Sequence, residues 1–130
     1  MSNELEIKRN EMIIKNSSGN KLSDVIKPLV KEIHLFDTFI AGTNYTDKEI
    51  LKGLKENDKL ILQREINKYD EKAIMILTEG KEKIGYIPEE DNAIFSRLMD
   101  AGKLLTAKIY SINLKGDWYR IKIHIYLMDI

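Results

Sequence analysis

The stretch NKYDEKAI, Asn67–Ile74, followed by GYIP, Gly85–Pro88, decides the fold of this chain. Asn67 favours a turn, because its side chain can hydrogen-bond to its own backbone. The apolar run Ala73–Leu77 predicts a short buried strand. GYIP predicts the return strand of a hairpin, and its proline ends that strand because proline lacks the N–H that a ladder needs. The segment therefore predicts a hairpin that is entered through a polar turn.

Tyr69 and Asp70 lie where this turn meets the strand. They place an aromatic face and a hydrogen-bond acceptor at one tip, which suits a binding site. The structural alternative is a turn whose tyrosine packs down and whose aspartate caps a backbone N–H, as is common for such residues. The residues alone leave both interpretations open.

Further strands and two helices are predicted on both sides of this hairpin. Thr46 followed by Glu49 matches the capping-box pattern and predicts a short helix, with Ile50, Leu51 and Leu54 facing inward. Helical spacing from Asp91 to Met99, with Gly102 just beyond, predicts a second helix. Strands are predicted over residues 35–41, 60–64, 104–112 and 118–128, the last two joined by a turn over 113–117.

The last predicted strand alternates strictly. Tyr119, Ile121, Ile123, Ile125 and Leu127 share one face, and Trp118, Arg120, Lys122, His124 and Tyr126 share the other. One face should therefore belong to the core and the other to solvent or a ligand. Roughly six short strands and two short helices predict a mostly β, α+β fold, a small OB-like β-barrel.

Composition limits the class of protein. The chain has 130 residues, enough for one domain with a single core, and 21 basic residues balance 21 acidic ones, so no overall charge favours nucleic acid. No cysteine is present, which excludes disulfides and thiolate chemistry. No apolar run approaches the ~18 residues of a membrane span. The mixed N-terminus lacks a secretory signal, so a cytoplasmic location is expected.

Residues 1–32 differ in pattern from the rest and predict an N-terminal extension to a domain over 33–130. The turn cluster Asn16–Asn20 and Pro28 interrupt this region. Such a segment could bind a protein partner.

Catalytic motifs are missing from the sequence. There is no phosphate-binding glycine loop, and His34 and His124, 90 positions apart, lie in no nucleophile motif. The acidic run Glu89–Asp91 is explained by the dipole at a helix start. The sequence therefore predicts no enzyme activity, no metal and no cofactor.

Trp118, Arg120 and Lys122 combine stacking surface with positive charge on the outer face of the last strand. Barrels that bind single-stranded nucleic acid use aromatic rings for the bases and cations for the phosphates. The alternative is an ordinary solvent face on which aromatic and charged cross-strand neighbours add stability.

In order along the chain, FIAGTNY (Phe39–Tyr45), NKYDEKAI, GYIP and NAIFSRLMDAGKLLTAKI (Asn92–Ile109) resemble the HIRAN domain family. This family occurs at the N-terminus of helicase-like transcription factor and as small stand-alone bacterial proteins. The resemblance covers the chain from about residue 33 to residue 130. It implies an OB-like barrel of about six strands with two helices.

The resemblance also implies DNA binding, since its best understood member captures the 3′ end of single-stranded DNA in a pocket. By matched position, Tyr45 would stack on the terminal base, and Tyr69 and Asp70 would line the pocket for the terminal sugar and its 3′ hydroxyl. Asn44 stands where a basic residue is expected, and Tyr86 where that member has a histidine. Trp118 would supply the expected late-strand aromatic ring.

The sequence thus leads to the hypothesis of a non-enzymatic, single-stranded DNA binding module for DNA repair or processing, with recognition of a free 3′ hydroxyl. Its predicted DNA-binding residues are Asn44, Tyr45, Tyr69, Asp70, Tyr86, Trp118, Arg120 and Lys122. The alternative is a protein-interaction module on the same fold that has lost DNA binding. A third hypothesis is a nuclease or hydrolase that uses Asp70 with Glu89 or Glu90.

Overall fold

The computed structural model describes residues 31–129, which contain six strands and two short helices. The strands are β1 (Lys31–Phe39), β2 (Lys59–Arg64), β3 (Ile74–Thr78), β4 (Lys83–Tyr86), β5 (Leu105–Lys115) and β6 (Trp118–Asp129). The helices are α1 (Lys48–Lys52) and α2 (Asn92–Asp100), and a 3-10 turn covers Thr43–Tyr45. This confirms the predicted mostly β fold with two short helices.

One antiparallel sheet holds the strands in the order β1-β6-β5-β2-β3-β4. The sheet is not closed, but an antiparallel bridge joins the segment after β1 to β4. The Ala41 N–H donates to the Tyr86 carbonyl at 2.8 Å, and the Tyr86 N–H donates to the Ala41 carbonyl at 2.9 Å. The curled sheet is compatible with an OB-like barrel.

The core lies on the inner face of the sheet, as the alternation of apolar and polar residues along β6 predicted. Ile121, Ile123 and Ile125 are fully buried, and they pack with Ile74 and Ile76 of β3 in the same apolar cluster. Burying one such side chain contributes about 1.5–3 kcal/mol, so this stripe fixes which face of β6 turns inward. The predicted inward face of β6 is confirmed.

The predicted capping box at Thr46 is wrong. Asp47 caps α1 instead, because its side chain accepts a hydrogen bond from the Glu49 N–H at 2.9 Å. The Thr46 hydroxyl donates to the Ile84 carbonyl of β4 at 2.8 Å, so it is no longer available to the helix. Helix α1 forms as expected, with Leu51 buried.

Two strand boundaries also differ from prediction. β1 begins at Lys31, within the predicted N-terminal extension, and the remaining residues of that extension lie outside the described part of the chain. β5 continues to Lys115, because Asn113 pairs with Arg120 and Leu114 pairs with Tyr119. The turn between β5 and β6 is therefore shorter than predicted.

Neither helix found between residues 31 and 129 is long and apolar enough to cross a bilayer.

Candidate functional site

A cavity of about 370 Å³ brings together four of the predicted site residues. Tyr45, Tyr69, Asp70 and Tyr86 line it, although they come from three separate parts of the sequence. Asn67 and Glu89 contribute to the same wall, and Ala41, Gly42, Ala73 and Ile87 provide its small and apolar lining. The loop between β2 and β3, the 3-10 turn and the end of β4 thus form one concave surface.

Two tyrosine rings at this cavity are almost entirely exposed. Tyr45 is 90% exposed and Tyr69 is 83% exposed, which is unusual for aromatic side chains. The alternative in which Tyr69 packs down onto the domain is therefore wrong. Both rings are available to stack on a flat ligand at the mouth of the cavity.

Two threonines hold the turn that carries Tyr45. Thr43 is 1% exposed, and its hydroxyl donates to the Tyr119 carbonyl of β6 at 2.8 Å. Thr46, on the other side, is bonded to β4 through the Ile84 carbonyl. Gly42 enters the turn with φ 82°, a left-handed conformation that favours glycine. Tyr45 is thus an exposed ring on a firmly held backbone.

The loop before β3 fixes the position of Asp70. The Asn67 side-chain carbonyl accepts hydrogen bonds from the Tyr69 N–H at 2.9 Å and the Asp70 N–H at 2.8 Å. The Asp70 carboxylate accepts from the Lys72 N–H at 2.9 Å, so it caps the backbone as the structural alternative proposed. Asp70 therefore has a local structural role in addition to lining the cavity.

Asn92 is a support for Asp70 that the sequence did not reveal. Its side chain, in a residue only 2% exposed, donates from Nδ2 to Asp70 Oδ2 at 2.8 Å. Each carboxylate oxygen of Asp70 has a second lone pair, so each can accept one more hydrogen bond from a ligand. The sequence signal for this support was Asn92 itself, a polar residue at an inward-facing position in the first turn of α2.

Arg64 at the end of β2 fixes the same loop from its other side. Its guanidinium donates to the Ala73 carbonyl at 2.7 Å and to the Glu71 carbonyl at 2.8 Å. It also pairs with Asp100 of α2 at 2.9 Å and lowers the pKa of that carboxyl through its hydrogen bond. Arg64 thus ties the loop of the cavity to helix α2.

Tyr86 belongs to a hydrogen-bonded chain at the edge of the cavity. Its hydroxyl donates to Glu65 Oε2 at 2.6 Å and accepts from Lys83 Nζ at 2.6 Å. Asn67 Nδ2 also donates to Glu65 Oε2, at 2.7 Å. The hydrogen bond from Tyr86, then that from Asn67 and then the Lys83 charge hold the pKa of Glu65 below its usual value of 4.5.

We expect Tyr86→Phe to raise the pKa of Glu65 and to reduce the acid sensitivity of folding. A carboxyl whose pKa is lowered by folding stabilises the native state above its unfolded pKa and loses that contribution as the pH falls through the folded value. The variant should therefore be less stable than the parent by about 1 kcal/mol or less near neutral pH, since Glu65 is only partly buried.

Urea unfolding at about pH 6 and about pH 3 measures this effect, because the difference between the two proteins should shrink as Glu65 becomes protonated. Tyr126→Phe, which lies outside this hydrogen-bonded chain, is the control. A stability difference that is the same at both pH values would contradict the role given to Glu65.

The remaining predicted residues do not line this cavity. Asn44 is exposed on the 3-10 turn. Trp118 is 40% exposed on β6, with the Arg120 guanidinium 5.8 Å from its ring centre. Arg120 and Lys122 line a different cavity of about 240 Å³. Apart from Asn44, the predicted DNA-binding residues therefore form two groups: the tyrosine cavity and the outer face of β6.

Comparisons with known proteins agree with this fold. The family model of the HIRAN domain matches residues 33–128. A crystal structure of a protein from Lactobacillus plantarum has a TM-score of 0.71 and 25% identity, over 78% of this chain and 99% of that chain. The crystal structure of the HIRAN domain of human HLTF has a TM-score of 0.62 and 17% identity, over 76% of this chain and 78% of that chain.

No curated protein matches the chain. The family model nevertheless spans well over half of the sequence, and the match includes both the hairpin and the 3-10 turn at the cavity. The chain belongs to the HIRAN domain family.

Proposed function

We propose that this protein is a non-enzymatic module that binds single-stranded DNA and holds a free 3′ hydroxyl end in the cavity of Tyr45, Tyr69, Asp70 and Tyr86. The observation that carries this proposal is the pair of exposed tyrosine rings beside a carboxylate that is held in place. Membership of the HIRAN family supports nucleic-acid binding by a domain that is not catalytic. A role in DNA repair and a cytoplasmic location remain predictions.

Stacking supplies the affinity in this proposal. A base on an aromatic side chain contributes about 1–3 kcal/mol, and any base can stack because every base has a π-face. The exposed rings of Tyr45 and Tyr69 could hold one or two bases with little sequence preference. Lys68 Nζ lies 5.2 Å from the Tyr69 ring centre and would place a positive charge near the phosphate of a stacked nucleotide.

Asp70 supplies the selectivity for the strand end. A carboxylate can accept a hydrogen bond from a free hydroxyl, whereas it repels a phosphate. Glu89 lines the same cavity and adds a second negative group to that repulsion. Phosphates of the strand would therefore lie outside the cavity, where Arg120 and Lys122 on the outer face of β6 offer positive charge.

Fluorescence anisotropy at low salt tests the function itself. A short 5′-labelled single strand should bind, a blunt duplex should bind more weakly, and added salt should weaken both, because phosphate contacts release counterions. The absence of single-strand binding even at low salt would contradict the proposal.

We expect Asp70→Asn to reduce the discrimination between a 3′ hydroxyl and a 3′ phosphate. Removing one charge near a terminal phosphate should change the preference by about 1 kcal/mol, roughly fivefold, for a pair about 4 Å apart in water-like surroundings. Asparagine can still bond to Asn92, which alanine could not. The affinities of the parent and the variant for the two strands give the ratio of 3′ hydroxyl to 3′ phosphate binding for each protein. An unchanged ratio in a folded variant would show that Asp70 does not recognise the 3′ end.

A protein-interaction module is the alternative that two observations favour. The formal net charge is zero, and Asn44 replaces the basic residue expected beside Tyr45. Deleting residues 1–30 leaves β1 intact and separates the two functions. DNA binding should survive this deletion, whereas a partner site on those residues should be lost.

A further inference from the structure

Two histidines and an aspartate meet on the outer surface of the sheet, away from the tyrosine cavity. His34 and Asp37 come from β1, and His124 comes from β6, 90 residues from His34 in the sequence. Their ligand atoms all lie within 4.8 Å of one another. The sequence alone did not reveal this cluster, because its residues are far apart along the chain. The cluster forms because β1 and β6 are neighbours in the sheet.

The three groups converge on one point. Nε2 of His34 and Nδ1 of His124 each lie 2.5 Å from the same oxygen, Oδ1 of Asp37. In the metal-free protein these contacts are hydrogen bonds that imidazole N–H groups donate to the carboxylate. Ligand atoms about 2.1 Å from a tetrahedral ion are separated by about 3.4 Å. Asp37 therefore needs to withdraw by about 1 Å, and the two ring nitrogens, which lie within 4.8 Å of each other, need to reach that separation.

Aromatic neighbours restrict the orientation of His124. The Tyr110 ring stacks on it with ring centres 4.1 Å apart and an angle of 10°. The His34 ring meets it edge-on at 4.9 Å. A ring whose rotation is already limited loses less conformational entropy when it binds an ion. Contacts that fix the orientation of ligating side chains are usual around metal sites in proteins.

We propose that His34, Asp37 and His124 bind a divalent ion of the zinc class, with water completing the coordination. Imidazole nitrogen suits Zn²⁺ and Ni²⁺, whereas Mg²⁺ and Ca²⁺ prefer all-oxygen sites. The side chains of His34 and Asp37 are 49% and 47% exposed, so the ion can enter from solvent. Arg120 and Lys122 line a cavity with Asp37, and their charge keeps the affinity moderate.

The bound ion would fasten edge strand β1 to β6. Because an ion that binds only the native state stabilises it by mass action, Zn²⁺ should raise the unfolding temperature of the protein in a concentration-dependent manner. The site is separate from the tyrosine cavity, since none of the three residues lines that cavity.

Isothermal titration calorimetry with ZnCl₂ and with MgCl₂ tests the site, using the full chain without a polyhistidine tag. We expect Zn²⁺ to bind with one-to-one stoichiometry and Mg²⁺ not to bind. His34→Gln and Asp37→Asn should each weaken Zn²⁺ binding at least about tenfold. Asp117→Asn is the matched control, because it removes a 97% exposed carboxylate at the turn between β5 and β6 and should leave the affinity unchanged.

Long-range ¹H–¹⁵N spectra of the unmodified protein test the geometry without any variant. On addition of Zn²⁺, the ring nitrogens that shift most should be Nε2 of His34 and Nδ1 of His124. The proposal is overturned if no one-to-one binding occurs, if both variants bind as tightly as the parent, or if these two nitrogens do not respond.

Discussion

Tyr45→Ala should weaken the binding of a short single strand by about 1–3 kcal/mol, roughly 5- to 150-fold, if a base stacks on this ring. The ring is 90% exposed, so its removal should leave the free energy of unfolding nearly unchanged. A loss of affinity without a loss of stability is therefore the expected signature. Anisotropy titrations and urea unfolding of the same preparations measure both quantities.

Tyr45→Phe is the matched control, because it keeps the stacking surface and removes only the hydroxyl. It should bind DNA nearly as well as the parent. If Tyr45→Ala also binds as well as the parent, no base stacks at this turn and the affinity must come from another surface. Trp118→Ala then becomes the informative variant, since it removes the large ring on the outer face of β6.

Gly85→Ala should lower the free energy of unfolding by about 1–3 kcal/mol or more, because it forces an extra carbon into a filled space. A Cβ on Gly85 would collide with the Ala41 carbonyl oxygen and with Cγ2 of Ile40. Ala41 makes the bridge to Tyr86 that joins the segment after β1 to β4. Because both bridge residues line the cavity, DNA affinity should fall together with stability.

Gly80→Ala is the control for this effect. Gly80 lies in the turn between β3 and β4, where an added Cβ would find ordinary contacts of 3.7 and 4.0 Å. It should unfold at nearly the same urea concentration as the parent. Equal stability of Gly85→Ala and Gly80→Ala would contradict the close approach of the two chain segments.

Local patterns predicted the parts of this structure that depend on local physics. The alternation along β6 placed Ile121, Ile123 and Ile125 inside, because residues two apart in a strand share a face. Gly102, with φ 90°, lies just beyond α2 as predicted, in the left-handed conformation that favours glycine there. The turn after β5 is shorter than predicted, because the sequence of neither strand alone reveals that Asn113 pairs with Arg120.

Contacts between distant residues account for what the sequence did not reveal. Thr46 and Asp47 are both good capping residues, and the Ile84 carbonyl, 38 residues from Thr46, decides which of them caps α1. The support of Asp70 by Asn92 spans 22 residues. Such partners are set by how the sheet curls, and a linear pattern does not encode them.

The same limit applies to the candidate site. The resemblance of short motifs selected Tyr45, Tyr69, Asp70 and Tyr86, and the structure places them around one cavity. The resemblance could not show that Arg120 and Lys122 line a separate cavity. Strand alternation predicts the face of the sheet on which a side chain lies, but it does not predict where that side chain lies relative to the 3-10 turn. The two groups are therefore separate candidates for contact with DNA.

The most direct test of the central claim is a ¹H–¹⁵N correlation spectrum of the labelled protein, titrated with a short single strand that ends in a 3′ hydroxyl. We predict that the largest shift changes fall on the backbone amides of Tyr45, Tyr69, Asp70 and Tyr86, with smaller changes along the outer face of β6. Changes confined to Trp118, Arg120 and Lys122, or no changes at all, would contradict the assignment of the tyrosine cavity as the DNA site.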